Sequence, residues 1–69
     1  LNIAFKQYKG GKLKTIGLMA KRARGRMTDY VIKNRISNVE NLKDFTEDGY
    51  TFQPDMSDAS TWVFTLNMD

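Results

Sequence analysis

The chain opens with two runs in which apolar and polar residues alternate, Ile3–Tyr8 and Lys12–Leu18. Gly10-Gly11 lies between the runs and suits a two-residue turn with positive φ angles. In such a hairpin Phe5 would pair with Ile16, which gives the ribbon one apolar face. The sequence therefore predicts a β-hairpin at the start of the chain.

The apolar spacing changes to a helical period between Met19 and Ile36. One stripe recurs every three or four positions and consists of Ala20, Ala23, Met27, Tyr30 and Val31. A second apolar line joins Gly25, Ile32 and Ile36. Because a glycine inside a helix costs about 1 kcal/mol relative to alanine, it needs a reason such as close packing. We therefore expect burial on two sides, with the remainder of the protein on the second side or self-association of the isolated chain.

Short elements and turns alternate over the last part of the chain. Ser37-x-x-Glu40 has the form of a capping box and predicts a short second helix over about residues 39–45. Tyr50–Gln53 and Thr61–Leu66 alternate as strands. The order β-β-α-α-β-β predicts an α+β fold of antiparallel strands with the long helix packed across them.

The composition limits the chemistry that this chain can perform. It has 69 residues, of which 41% are hydrophobic and 12% aromatic, and no cysteine or histidine. Disulfides, thiolate or imidazole metal sites and catalytic Cys or His pairs are therefore excluded. We expect no enzyme in these residues and assign no cofactor or metal. The lack of cysteine fits a reducing cytoplasm, and no apolar run is long enough for a membrane span.

Charge is divided between the two halves of the chain. Residues 1–39 contain ten lysines and arginines and one acid, a net charge of +9. Residues 40–69 contain one lysine and seven acids, a net charge of −6. A basic half attracts phosphate and other anions, whereas two opposite halves can also neutralise each other within the fold. The sequence leaves both interpretations open.

A basic cluster lies in the N-terminal part of the predicted helix and consists of Lys21, Arg22, Arg24 and Arg26. At helical spacing, Arg22 and Arg26 share one side of the helix and Lys21 and Arg24 share another. The helix dipole disfavours cations at this end unless an anion lies nearby, and arginine binds phosphate through two parallel hydrogen bonds. The cluster therefore predicts sequence-neutral contacts to the DNA backbone, with internal ion pairs as the alternative.

Several motifs resemble those of one family. The run Lys21–Met27 resembles the Lys-Lys/Arg-Ala-Arg-Gly-x-Met signature near the C-terminus of the YaaA family. Asn34-Arg35-Ile36, Gly49-Tyr50-x-Phe52 and the terminal Val63-Phe64 also match, in the same order and at the same spacing. The resemblance covers most of residues 12–64.

The resemblance implies a cytoplasmic bacterial protein of the peroxide-stress response, roughly 250 residues long when intact. Residues 1–69 would form its last quarter as a single C-terminal α+β segment, and the first residue, Leu1 rather than Met, also indicates a fragment. Family members are associated with DNA binding and with limiting iron-dependent oxidative damage. The family's basic positions fall on Lys21, Arg22, Arg24 and Arg35.

Three functions follow from these patterns. In the leading one, the segment binds DNA through Lys21, Arg22, Arg24, Arg26 and Arg35. In the second, the segment is purely structural, and Arg24 and Arg35 pair with acids in the remainder of the protein. In the third, residues outside this chain complete an enzyme site in which an arginine holds an anion.

Overall fold

The computed structural model describes all 69 residues and contains a four-stranded sheet with one α-helix. The strands are β1 (Asn2–Lys9), β2 (Lys12–Lys14), β3 (Thr51–Phe52) and β4 (Thr61–Asn67), and the helix is α1 (Gly17–Lys33). Three short 3-10 helices cover Val39–Asp44, Glu47–Gly49 and Pro54–Met56. The α+β class predicted from the sequence is confirmed. The α-helix does not have the length and apolar character needed to cross a membrane.

The sheet is mixed rather than antiparallel. Its strand order is β2-β1-β4-β3, in which β2 pairs with β1 and β3 with β4 in antiparallel fashion. The two central strands are parallel, with Phe5 beside Phe64. The prediction of antiparallel strands is therefore wrong for this pair. Alternation identifies a strand but carries no direction, and the long connection through α1 allows a parallel crossover.

The first hairpin is shorter than its alternating pattern predicts. Lys9 pairs with Lys12, but β2 ends at Lys14, so the predicted pairing of Phe5 with Ile16 does not form. The Ile16 N–H instead donates to the side-chain oxygen of Gln7 (2.7 Å). This bond replaces a strand-to-strand hydrogen bond, and α1 begins at the next residue, two positions before the predicted start.

The core lies between α1 and one face of the sheet. Its buried members are Phe5, Ala20, Ala23, Met27, Phe45, Tyr50, Trp62 and Phe64. The alanines bring the helix axis close to the aromatic residues of the sheet, and Phe5 and Tyr50 meet edge to face at 5.3 Å between ring centroids. The solvent side of α1 remains uncovered, because Ile32 is 70% exposed. The second side of the helix is therefore not buried by any element of this chain.

The second predicted helix is a 3-10 helix, Val39–Asp44. Its first residues are capped by Asn38, whose side-chain oxygen accepts the Glu40 N–H (3.1 Å). The capping box predicted from Ser37 is therefore wrong by one residue. An asparagine side chain reaches the backbone N–H two residues ahead, which closes a local turn and competes with the longer capping-box contact.

Candidate nucleic-acid interface

The basic cluster lies in the first three turns of α1, and its four side chains are exposed. Successive residues are about 100° apart around a helix, which places the cluster on two flanks. Lys21 and Arg24 form the first flank, and Arg24 borders an apolar groove beside Met27. Arg22 and Arg26 form the second flank, and Arg22 borders a smaller cleft with Asp48. The cluster is therefore not a single basic face.

A ridge of different chemistry separates the two flanks. It runs along the solvent side of α1 and consists of Leu18, Gly25, Asp29 and Ile32, at helical spacings of seven, four and three residues. Leu18 and Ile32 are 73% and 70% exposed. A methyl group at Gly25 would meet no atom within 4 Å. Leu18, Gly25 and Ile32 are uncharged, so the ridge carries only the acid Asp29, and Arg22 borders it four residues after Leu18.

A single ion pair joins the basic and acidic halves of the chain. Arg26 Nε lies 3.4 Å from Asp48 Oδ2, and the two side chains are 53% and 39% exposed. An exposed pair of this kind contributes about 0–1 kcal/mol. Arg26 can therefore exchange Asp48 for another anion at small cost.

The other basic residues of the first half make no ion pair. The second pair of the structure, Lys43 with Glu40, lies wholly within the acidic half. Nine of the ten lysines and arginines in residues 1–39 thus have no carboxylate within 4.0 Å. The Asp58 carboxylate is turned toward its own loop, where N–H groups of Ser60 and Thr61 and the Ser60 hydroxyl lower its pKa. Neutralisation between the halves is therefore limited to one exposed contact.

The N-terminus of α1 has no compensating acid. Ile16 precedes the helix in an extended conformation, provides no side-chain cap, and no acidic residue occupies the first turn. Lys21 and Arg22 follow in the second turn, so their charges add to the positive end of the helix dipole. This end of the helix is complementary to an anion.

Arg35 lies away from the basic cluster. It follows the C-terminus of α1, about 20 Å from Lys21 along the helix axis. Its backbone is left-handed (φ 50°), and the N–H groups of Arg35 and Ile36 donate to the carbonyls of Ile32 (3.3 Å) and Val31 (3.1 Å). These two bonds form a Schellman cap, in which glycine is the usual residue at this position. The structure does not bring Arg35 together with the four residues of the cluster.

The lysines of the hairpin precede the N-terminus of α1 in the sequence. Lys12 and Lys14 are on the edge strand β2, which agrees with lysines that protect an edge from further pairing. Lys6 donates from Nζ to Thr15 Oγ1 (3.1 Å), two residues before α1 begins. The hairpin lysines therefore extend the positive charge beyond the helix.

Comparison with known proteins places this sequence in a family. The family model described as peroxide stress protein YaaA matches residues 1–56, which include both basic flanks. The chain belongs to this family. The resemblance carried by the run Lys21–Met27 is thereby confirmed.

Relatives of this YaaA-family chain are named UPF0246 proteins. The protein from Magnetococcus marinus is 56% identical over 61 residues, which are 88% of this chain and 24% of that protein. The protein from Acaryochloris marina is 52% identical over 67 residues, which are 97% of this chain and 27% of that protein. The chain therefore spans about a quarter of the curated relatives that it matches.

Proposed function

We propose that this segment gives a YaaA-family peroxide stress protein a sequence-neutral contact to DNA through the two flanks of α1. The observation that carries the proposal is the nearly complete lack of ion pairs in a half-chain of net charge +9. Unpaired lysines and arginines beside an uncapped helix N-terminus are suited to phosphate oxygens.

The separation of the flanks suits the two sugar-phosphate strands of a duplex. An α-helix with its side chains is about 10–12 Å across, and the major groove is about 12 Å wide. With α1 against the groove, Lys21 and Arg24 face one strand while Arg22 and Arg26 face the other. The ridge offers Leu18, Gly25, Asp29 and Ile32 toward the bases and no basic side chain, so binding depends on phosphates at the flanks and not on sequence.

Within the cell, this contact would keep the protein on DNA during peroxide stress and limit iron-dependent damage there. The partners in this proposal are DNA and the remainder of the protein's own chain. The protein acts in the cytoplasm and needs no catalytic group from this segment.

The test is the combined substitution of Arg22, Arg24 and Arg26 by glutamine in the intact protein. Each lost phosphate contact lowers the slope of log K against log salt by about 0.9, so we expect a slope reduced by about 2.7 and weaker binding. The matched control replaces the same three residues by lysine, which keeps the charge and should keep most of the slope. Unchanged affinity in the glutamine variant contradicts the proposal.

A structural function is the second candidate, and the apolar groove beside Arg24 favours it. The groove has a volume of about 650 Å³ and is lined by seven hydrophobic residues, among them Ile3, Val31 and Leu42. If the remainder of the protein fills this groove, Arg24 is buried there against an acid. Arg24→Gln then lowers the melting temperature of the intact protein, whereas an unmoved melting temperature rejects this candidate.

A further inference from the structure

The turn of the first hairpin holds a carboxylate with its backbone. Gly10 and Gly11 both have left-handed φ angles (61° and 75°). Their N–H groups donate to Asp69, to Oδ1 at 2.8 Å and to Oδ2 at 3.4 Å. Successive N–H groups that converge in this way form a concave anion site known as a nest.

The parallel pairing of β1 and β4 brings Asp69 to the turn. Tyr8 lies beside Asn67, and the Met68 N–H donates to the Tyr8 carbonyl (2.8 Å). Asp69 therefore follows the last paired residues and lies beside the turn that ends β1. The position of Asp69 beside the turn is set by the sheet and not by an ion pair, since no lysine Nζ lies within 4.0 Å of Asp69.

Two lysines flank the nest and have no ion-pair partner. Lys9 and Lys12 are directly opposite each other at the base of the turn, and both are exposed. Like charges opposite each other in a hairpin are unfavourable unless an anion lies between or beside them. Asp69 does not meet this need, because no lysine Nζ lies within 4.0 Å of its carboxylate. Its second contact to the turn, from the Gly11 N–H at 3.4 Å, is also longer than an ordinary hydrogen bond.

We infer that the Gly10-Gly11 turn is a second anion site, which takes a phosphate group and which Asp69 occupies until the phosphate displaces it. A phosphate oxygen accepts the same two N–H groups, and Lys9 and Lys12 supply the opposite charge. The site is separate from the flanks of α1, so it goes beyond the proposed function and does not require that function to be correct. The phosphate belongs either to a free ion or to a nucleic-acid backbone.

The experiment is a titration of the 69-residue chain with inorganic phosphate, followed by the amide resonances of Gly10 and Gly11. Asp69→Asn removes the competing charge, so we expect it to bind phosphate about three- to tenfold more tightly than the unchanged chain. Asp55→Asn is the matched control, because it removes the same charge from an exposed residue that forms no hydrogen bond or ion pair through its side chain. It should bind phosphate as the unchanged chain does.

The unchanged chain provides a measurement that needs no variant. If phosphate displaces the carboxylate, the side-chain carboxyl resonance of Asp69 moves with the same midpoint as the Gly10 and Gly11 amides. Glycine amides that stay fixed in both the unchanged chain and Asp69→Asn overturn the inference. Equal phosphate affinity in Asp69→Asn and Asp55→Asn also overturns it.

A parallel titration with duplex DNA separates the two sources of phosphate. Movement of the same two amides by DNA identifies a backbone phosphate, whereas movement by inorganic phosphate alone identifies a free-phosphate site. Failure of the α1 proposal has a different signature, since it appears as an unchanged salt slope in the Arg22, Arg24 and Arg26 variant.

Discussion

Gln7 and Tyr50 are joined inside the core by a hydrogen bond from Gln7 Nε2 to the tyrosine hydroxyl (2.8 Å). Gln7 is fully buried, and its side-chain oxygen accepts the N–H of Ile16, the residue that precedes α1. One amide group therefore connects the first strand, the start of the basic helix and a distant aromatic residue. The direction in which α1 leaves the hairpin depends on this buried polar contact.

Tyr50→Phe should lower the free energy of unfolding by about 1–2 kcal/mol, because it leaves the Gln7 amide N–H without an acceptor in the core. Urea unfolding followed by the fluorescence of Trp62 measures the change. Tyr8→Phe is the matched control, since the Tyr8 hydroxyl lies on the other face of the sheet and makes no hydrogen bond, and it should change stability by less than about 0.5 kcal/mol. Equal losses in the two variants would rule out the Gln7 contact as the cause.

Gly25→Ala should raise the free energy of unfolding of this chain by about 1 kcal/mol, because the added methyl group meets no atom and alanine favours the helix. Gly49→Ala should lower the free energy of unfolding. Gly49 has a left-handed φ of 84°, and a methyl group there would lie 2.9 Å from Leu66 Cδ1. Thermal unfolding of both variants checks the pair. A destabilised Gly25→Ala chain would contradict the uncovered ridge and agree with the two-sided burial expected from the sequence.

Arg35→Gly should raise the free energy of unfolding by about 1 kcal/mol, since glycine adopts the left-handed cap without strain. The same substitution at Arg22, where the backbone is helical, should lower it by about 0.5–1 kcal/mol. If Arg35 contacts DNA, Arg35→Gly also weakens binding while the fold becomes more stable. Chemical denaturation and a binding titration on the same samples separate the two effects, and a destabilised Arg35→Gly chain would contradict the cap assignment.

Asp58→Asn should reduce stability in a pH-dependent way. Hydrogen bonds from the backbone of Ser60 and Thr61 and from the Ser60 hydroxyl lower the pKa of Asp58 below its ordinary value of 3.8. The folded state therefore favours the ionised carboxylate, and this contribution is complete above about pH 4 and is lost as the pH falls through the folded-state pKa. Urea unfolding at about pH 6 and about pH 2 compares the two chains. The difference in unfolding free energy between the two chains should shrink at the lower pH. A difference that persists or grows there would contradict the prediction.

Local periodicity was sufficient to predict α1 and the last strand, because their apolar positions face one core. It could not predict that β1 and β4 are parallel, since side-chain alternation is the same in either direction. It also extended the hairpin too far. Ile16 fits the alternating pattern, but the buried amide of Gln7, a contact between different elements, takes its N–H.

The candidate interface was predictable in part. Charge counts and helical spacing place Lys21 with Arg24 and Arg22 with Arg26, and the structure has these two flanks. The nest at Gly10-Gly11 could not be predicted from the sequence, because a glycine pair that opens no helix does not match the pattern of a phosphate-binding loop. Its carboxylate comes from Asp69, which only the parallel pairing of β1 and β4 brings to the turn.

The proposed function requires that residues of this chain contact DNA phosphates. The direct measurement is a titration of the folded chain with a labelled duplex of arbitrary sequence at about 50 and about 200 mM salt, followed by fluorescence anisotropy. Four phosphate contacts from the two flanks of α1 predict an affinity that falls about 100-fold between the two conditions. No binding by a chain that circular dichroism shows to be folded, or binding that does not depend on salt, would contradict the claim.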